Sequence, residues 1–480
     1  MDSGSFPAPI YAETVLAPNF EDAKRYFLDA LIEIHHAHTR MLARQGILTS
    51  AEERELRVAL TKLDCADIKN AYYDGSVEDL FFFVESCLER AAGELSGKMH
   101  TARSRNDIAI TLYRMTLRRE LLAFAEAVAQ VRASVLHLAE QHVETIMPAH
   151  THTQPAQPTT LAHYLLAAAE FLARDSERIQ AAFARVNLSP LGACAITTTG
   201  FPIDRQMTCQ LLGFDGLAEN SYAAIAAIDY VTESAAALAV AMVNAGKFIQ
   251  DLLLWSTREF GFVRLGNAFV QSSSIMPQKR NPVALEHARI LASRALGEAQ
   301  AVLTCAHNTP FGDINDSEDD LQPLVFTMFE DSLRSLRLLA GLLHSAHVDR
   351  EHLAKRAAAD FITVTELADT LVRRAGKSFR EAHALVAHAV RTAEADDRPS
   401  AIAEALLSNC PSLPLSRQEL ERSLDPKNFI ETRRVIGGPA REVVIEALSR
   451  AHDLQTRLEA WIHTKRRTLD EARARNLAVE

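Results

Sequence analysis

The stretch Gln271–Pro282 gathers three serines, a methionine, two prolines, a lysine and an arginine. It runs into VALEHARILASRALGEAQAVL, whose pattern predicts a long helix. Asn281 is a suitable N-cap, and Pro282 suits the first helical position. A serine-rich loop ending on a helix N-terminus offers unpaired N–H groups and partial positive charge, with Lys279 one turn upstream. Together they suit a carboxylate or a phosphate. By composition alone the stretch is equally an ordinary solvated loop.

Two further clusters carry polar chemistry. In Gly97–Asp107 (GKMHTARSRND), Arg103, Ser104, Arg105 and Asn106 form a dense donor group suited to a carboxylate. A solvated turn with local ion pairs is the plainer alternative. In Pro148–Pro158 (PAHTHTQPAQP), His150 and His152 invite a metal reading, but no third ligand has convincing spacing and HExxH is absent. No metal is expected. His35, His36 and His38 are denser still, yet they lie on an expected helix and are read as partly exposed. A histidine such as His152 exchanges protons near neutrality, since its ordinary pKa is about 6.5.

The elements that must hold these clusters are helices. Glu21–Arg44 reads as one helix stopped at Gly46, and Thr49 caps the next. Arg118–Ile146 runs without proline or glycine, and long helices are expected at 159–186, 283–306 and 321–346. Tyr222–Phe260, interrupted only by Gly246, would extend roughly 55–60 Å as one helix. Its stripe of Ile225, Ile228, Val231, Ala235, Leu238 and Met242 faces a side also rich in alanine and valine, so both faces need covering. Strand-like alternation is scarce. The fold class is all-α, with a first lobe over 1–108, a central long-helix bundle over 109–358 and a C-terminal lobe of shorter helices over 359–480, broken at Ala395–Ser400.

Composition narrows the function. The chain has 480 residues, too many for one ordinary core, and 24 % of them are charged. A net charge of −11 leaves no general basic surface for nucleic acid, so an anionic substrate needs a local positive pocket. The scattered cysteines 65, 87, 194, 209, 305 and 410 include no CxxC, as expected of reduced thiols in the cytoplasm. MDSGSFPAPI shows no leader pattern, and no apolar run reads as a membrane span.

The order of residues says more. Ser273-Ser274-Ile275-Met276-Pro277-Gln278-Lys279-Arg280-Asn281-Pro282 resembles the GSSxMPxKxNP signature of the fumarase/aspartase superfamily, with Ser272 in place of its glycine. Residues 100–108 are similar to HTGRSRNDQ of argininosuccinate lyases, Ala102 replacing glycine and Ile108 glutamine. Thr151–Pro158 resembles THLQxAQP. ELADTLVRRAGKSFREAHALVAHAV and NFIETRRVIGGPA are similar to the C-terminal lobe of the same family. The likeness covers about residues 25–440.

That resemblance implies a three-lobed helical homotetramer whose sites are built from three subunits, working without a cofactor on a small molecule. The reaction is anti elimination of an amine from an N-substituted aspartate, releasing fumarate. On the matching positions, Ser273 is the base, His152 the acid for the leaving nitrogen, and Glu286 orients that histidine. Lys279 and Asn281 stabilise the carbanion's carboxylate. Ser104, Arg105, Asn106, Thr151, Gln154, Ser274 and Met276 contact substrate, and the loop after Gly266 acts as a lid. The amine half departs from the family. Phe81 stands where EDxH has histidine, and Asp313, Glu318 and Leu321 occupy the tyrosine, glutamine and lysine positions of LPxxYNKDxQEDK. Ala223, Ala227 and Ile228 replace further polar residues. The expected amine is therefore not arginine, as in divergent members such as ethylenediamine-disuccinate lyases, with Asp313 and Glu318 as contacts. Argininosuccinate cleavage and an inactive homologue of the crystallin kind are the alternatives.

Overall fold

The computed structural model describes residues 6–63, 65–393, 396 and 398–478. Residues 1–5, part of the stretch read for a leader, and Ala395 and Asp397 of the expected break lie outside them.

The chain is built from helices: α1 (Ala17–Tyr26), α2 (Leu28–Arg44), α3 (Ser50–Lys62), α4 (Leu80–Ala92), α5 (Arg105–Gln141), α6 (Leu161–Val186), α7 (Asp229–Trp255), α8 (Val283–Ala306), α9 (Gln322–Ser345), α10 (Val364–Ala375), α11 (Phe379–Ala393), α12 (Pro399–Asn409) and α13 (Arg441–Leu477). Capping residues set several starts. Thr49 and Glu52 form a capping box for α3, and Ser104 with Asp107 forms one for α5. Two-stranded ladders punctuate the bundle. A hairpin joins β1 (Ile146–Thr151) to β2 (Gln154–Thr160), and β3 (Gln271–Ser272) pairs antiparallel with β4 (Arg280–Asn281).

Three apolar cores hold these elements. One lies among α1–α4, the head of α5 and the segment 191–214. The largest joins α5 to α9, with Val444, Leu448, Leu458 and Ile462 of α13 returning to pack on it. The third is confined to 367–424. In the central core, Ala235, Ala241 and Ala245 of α7 and Ala288, Ala292 and Ala295 of α8 are buried, and such small side chains let helix axes approach closely. The opposite face of α7 leaves Val240, Val243 and Leu254 exposed, and α8 exposes Ile290 and Leu303.

Four expectations need correction. Tyr222–Phe260 is two helices. Asn220 caps a short turn at Ser221–Ala226 through the Ala223 N–H (3.0 Å), Ala227 is extended, and α7 starts afresh at Asp229. Glu21–Arg44 is broken at Phe27, whose φ of −117° closes α1 before α2 begins. The helix expected from Arg118 starts at Arg105, because the Ser104 cap supplies its first turn, and it stops at Gln141. By length and composition α5 and α7 are apolar enough to cross a membrane, against the sequence expectation. In the chain both bury a long face in the central core.

Candidate active site

The signature loop is closed at its base. Gln271 pairs with Asn281 and Ser272 with Arg280, so residues 273–279 form a loop with tied ends. Arg280 fastens that base by donating to Asn267 Oδ1 (2.7 Å) and to the Leu265 carbonyl (2.9 Å). Within the loop, the N–H groups of Met276 (3.1 Å) and Ile275 (3.4 Å) donate to Ser273 Oγ. Two N–H dipoles aimed at one hydroxyl oxygen favour its deprotonated form, as proton abstraction requires. The N-cap expectation is corrected here. Asn281 is committed to the ladder, Pro282 takes the cap position without a side-chain bond, and α8 begins at Val283.

Met276, Lys279 and Asn281 line an open groove of about 1380 Å³. Its other walls bring Arg258, Arg264, Arg280, His347 and His352, against a single carboxylate, Asp349. Asp349 is itself engaged, accepting the His352 N–H at the head of a helix (3.0 Å). The groove is thus a cationic surface suited to carboxylates, on a protein of net charge −11. Arg258, Arg264, His347 and His352 escaped the sequence reading because they arrive from separate segments with no shared motif.

A second cavity, about 190 Å³, lies at the head of α5. Arg105 and Asn106 line it together with Asp313 and Glu318, from the segment before α9. Arg105 is paired with Asp79 (2.7 Å) and Glu78 (3.1 Å), and its guanidinium lies over the Phe82 ring. Ser104 serves as cap, donating to Asn106 Oδ1 (3.1 Å), while Asn106 Nδ2 donates to the Ala195 carbonyl (3.2 Å). The lining holds six carboxylates, Glu78, Asp79, Asp313, Glu318, Asp319 and Asp320, and one guanidinium. Burial, followed by a hydrogen bond shared with Asp313, pushes the Glu318 carboxyl up to about 9. Burial also raises Asp79 and Asp319, and Tyr113 donates its hydroxyl to Asp319 (2.8 Å).

Phe81 lines the same cavity, and its ring packs against those of His35 and His100. Behind it the three helix histidines are buried, against the expectation of partial exposure. Each meets a polar partner there: the Arg103 guanidinium reaches His35 Nδ1 (2.7 Å) and Glu85 (3.0 Å), Arg57 Nε donates to His36 Nδ1 (3.5 Å), and His38 Nε2 meets the Thr101 carbonyl (2.8 Å). Burial, then neighbouring cations, holds His36 near 4 and His38 near 3, so both are neutral packing groups.

The third cluster sits on the β1–β2 hairpin. His150 points inward beside Phe260 and Phe262. His152 and Thr153 form the two-residue tip, at φ 51° and 62°. Both central residues are left-handed, a conformation that hairpin tips ordinarily give to asparagine and glycine. Thr151, His152 and Gln154 are exposed. No hydrogen bond joins Glu286, exposed on the first turn of α8, to His152 within one chain. The chain therefore brings Arg105, Asn106, Asp313 and Glu318 to one cavity and Met276, Lys279 and Asn281 to another. His152, Thr151, Gln154, Ser273, Ser274 and Glu286 line neither.

Comparison with known proteins places these features. Residues 77–297 match the family described as lyase, and residues 361–431 match the one described as argininosuccinate lyase C-terminal. The chain is 40 % identical over 457 residues to argininosuccinate lyase 2 of Agrobacterium fabrum, covering 93 % of this chain and 91 % of that protein. It is 40 % identical over 443 residues to the argininosuccinate lyase of Methanoculleus marisnigri, covering 92 % and 90 %. Among solved structures, EDDS lyase in complex with formate superposes with a TM-score of 0.86 at 33 % identity, covering 97 % of this chain and 95 % of that one. The class II fumarase of Schistosoma mansoni shares the fold, with a TM-score of 0.70 at 16 % identity over 87 % of this chain and 92 % of that one.

Proposed function

The chain belongs to the argininosuccinate lyase family of the fumarase/aspartase superfamily and is a fumarate-releasing carbon–nitrogen lyase, and on that premise we propose that its substrate is an N-substituted aspartate whose amine half ends in a cation. The acid lining of the Arg105–Glu318 cavity carries this reading. Six carboxylates around one already paired guanidinium favour an amine or guanidine and repel a second succinate. Of the two carboxylates of the aspartate half, one takes the cationic groove of Lys279, Arg258 and Arg264, and the other takes the Ser104 and Asn106 donors at the head of α5.

In this scheme Ser273 Oγ removes the Cβ proton, its alkoxide held by the Ile275 and Met276 N–H groups. The carbanion's charge spreads onto the neighbouring carboxylate, which Lys279 and Asn281 stabilise. The Cα–N bond then breaks as His152 protonates the nitrogen, leaving fumarate and the free amine.

The dimensions of α5 favour sites shared between copies of the chain. Its 37 residues span about 55 Å. Even folded straight back, the residues from Gln141 to His152 leave that histidine at least about 15 Å from Arg105. That separation supports a reading in which the two residues belong to different sites, completed by neighbouring copies. The exposed apolar residues of α7 and α8 supply the surface for a homotetramer. Cys87, Cys194, Cys209, Cys305 and Cys410 carry no disulfide, in keeping with a cytoplasmic enzyme.

The test is fumarate absorbance with argininosuccinate, N-(2-aminoethyl)aspartate and ethylenediamine-disuccinate. Fastest release from the aminoethyl compound supports the reading, and fastest release from the disuccinate refutes the cation preference. Argininosuccinate is the second reading, favoured by relatives at 40 % identity, because its guanidinium also suits an acidic wall. Release from it above the others selects that reading.

A further inference from the structure

Two segments meet at the head of α5. One is the turn Thr101–Asn106. The other is the loop Gly192–Phe201, which belongs to none of the motifs above. Asp107 joins them. It is fully buried, and its Oδ1 accepts the Ser104 N–H (2.9 Å) while Oδ2 accepts those of Gly192 (2.8 Å) and Cys194 (2.9 Å). Three converging donors need a group that only accepts. An amide at this place would turn its own N–H toward one of them, so a carboxylate is required. Two more bonds close the seam: Asn106 Nδ2 to the Ala195 carbonyl (3.2 Å) and Cys194 Sγ to the Ala102 carbonyl (3.3 Å).

Both segments are strained. Ala102 (φ 62°), Cys194 (φ 54°) and Thr198 (φ 64°) occupy the left-handed region, which L side chains avoid and a β-branched residue avoids most. Strain of this kind persists where the surroundings over-determine the backbone, and it concentrates at functional sites. The tip beyond the seam is exposed and carries three consecutive threonines. Thr199 Oγ accepts the Phe201 N–H (3.2 Å). Among the described residues, the Thr197 and Thr198 hydroxyls have no partner in the chain.

We infer that Gly192–Thr199 is a further wall of the substrate site, in which the Thr197 and Thr198 hydroxyls donate to a carboxylate of the fumarate half beside Ser104 and Asn106, and that Asp107 is the positioning residue holding this wall in place. The inference rests on the fumarate-releasing lyase reading. Asp107 touches no substrate; it sets the distance between the donors of the turn and those of the loop.

The experiment is calorimetric binding of fumarate to the assembled enzyme, which requires no knowledge of the amine, with thermal unfolding of the same samples. Thr197→Val is expected to weaken fumarate about 10-fold at an unchanged midpoint, as loss of a hydrogen bond to a charged group does. Thr198→Gly is expected to raise the midpoint, by releasing the left-handed strain, and still to weaken fumarate. A merely structural loop would not lose affinity while gaining stability. Asp107→Asn is expected to weaken fumarate by 10-fold or more; should it fail to fold, the threonine variants decide. Wild-type affinity in both threonine variants overturns the inference. Absence of fumarate binding by the wild type overturns the lyase reading and the inference with it.

Discussion

Glu318 gives a prediction with a worked magnitude. Its carboxyl, raised to about 9 by burial and by the bond shared with Asp313, is neutral at pH 7. A cation entering the cavity pairs best with the ionised form and so displaces that proton. Ionising the group at pH 7 costs about 2.7 kcal/mol, a factor of roughly 100. Asp313 lies toward solvent, and screening there reduces the expected gain to between about 10- and 100-fold. Affinity for a permanent cation should therefore climb from pH 7 and level off near pH 9. The sign for the free protein is opposite. A carboxyl raised from 4.5 contributes stability that is full below pH 4.5 and is lost as pH rises through 9. The gap in unfolding temperature between liganded and free enzyme should widen over the same interval. His36, His38 and His100 are pushed downward by burial, so they are already neutral in this window and do not supply the slope. The assay is titration calorimetry with methylguanidinium, which stays charged throughout, in two buffers of different ionisation enthalpy. About one proton should be released per methylguanidinium at pH 7 and none well above pH 9. Glu318→Gln should abolish both slope and proton release. A flat profile from pH 7 to 9, or a slope that survives in Glu318→Gln, refutes the reasoning.

Other perturbations have definite signs. Ala102→Gly relieves a left-handed backbone and should stabilise by about 0.5–1 kcal/mol after the added freedom of the unfolded chain is subtracted. Ser272→Gly, at a position with ordinary backbone inside the β3–β4 ladder, should destabilise by about 0.5–1 kcal/mol; urea unfolding measures both, and equal signs would contradict the assignment. Ser273→Ala should end fumarate production with the assembly intact by light scattering, because a half-buried loop hydroxyl carries little packing; full activity removes serine as the base. Mixing inactive Ser273→Ala with inactive His152→Asn subunits should restore part of the activity, and no recovery in verified mixed assemblies would mean that each chain completes its own site.

The parts of the site visible in the sequence were those whose chemistry is written into consecutive residues. The helical class, the QSSSIMPQKRNP loop and the ARSRND turn are of this kind. Features set by partners far along the chain were not visible. Asn281 looked like a cap because its ladder partner, Gln271, lies ten residues away across the loop. The α7 start at Asp229 has no glycine or proline to announce it, and the extended Ala227 that precedes it is an alanine, the best of helix formers. His35 and His38 read as partly exposed because the groups they meet, Arg103 and the Thr101 carbonyl, are more than sixty positions downstream. Arg105 reads as free for a carboxylate because its partners, Glu78 and Asp79, lie in a separate segment before α4. The opposite charges of the two cavities follow from the same cause, since each wall is gathered from several segments.

Helix α5 has candidate site residues at both extremities: the Ser104–Asn106 turn at its head and, past a short link, the hairpin bearing His152. Mechanically it is a stiff beam, and where sites are shared between copies as proposed, its two ends stand in two different workplaces. Closing one around its ligand would then push on the hairpin that the other depends on, and an assembly of such beams would behave as a linkage, in which rotations are shared. Binding curves for fumarate should then deviate from independent, identical sites, and immobilising the hairpin in one copy should stiffen the far end of the same beam.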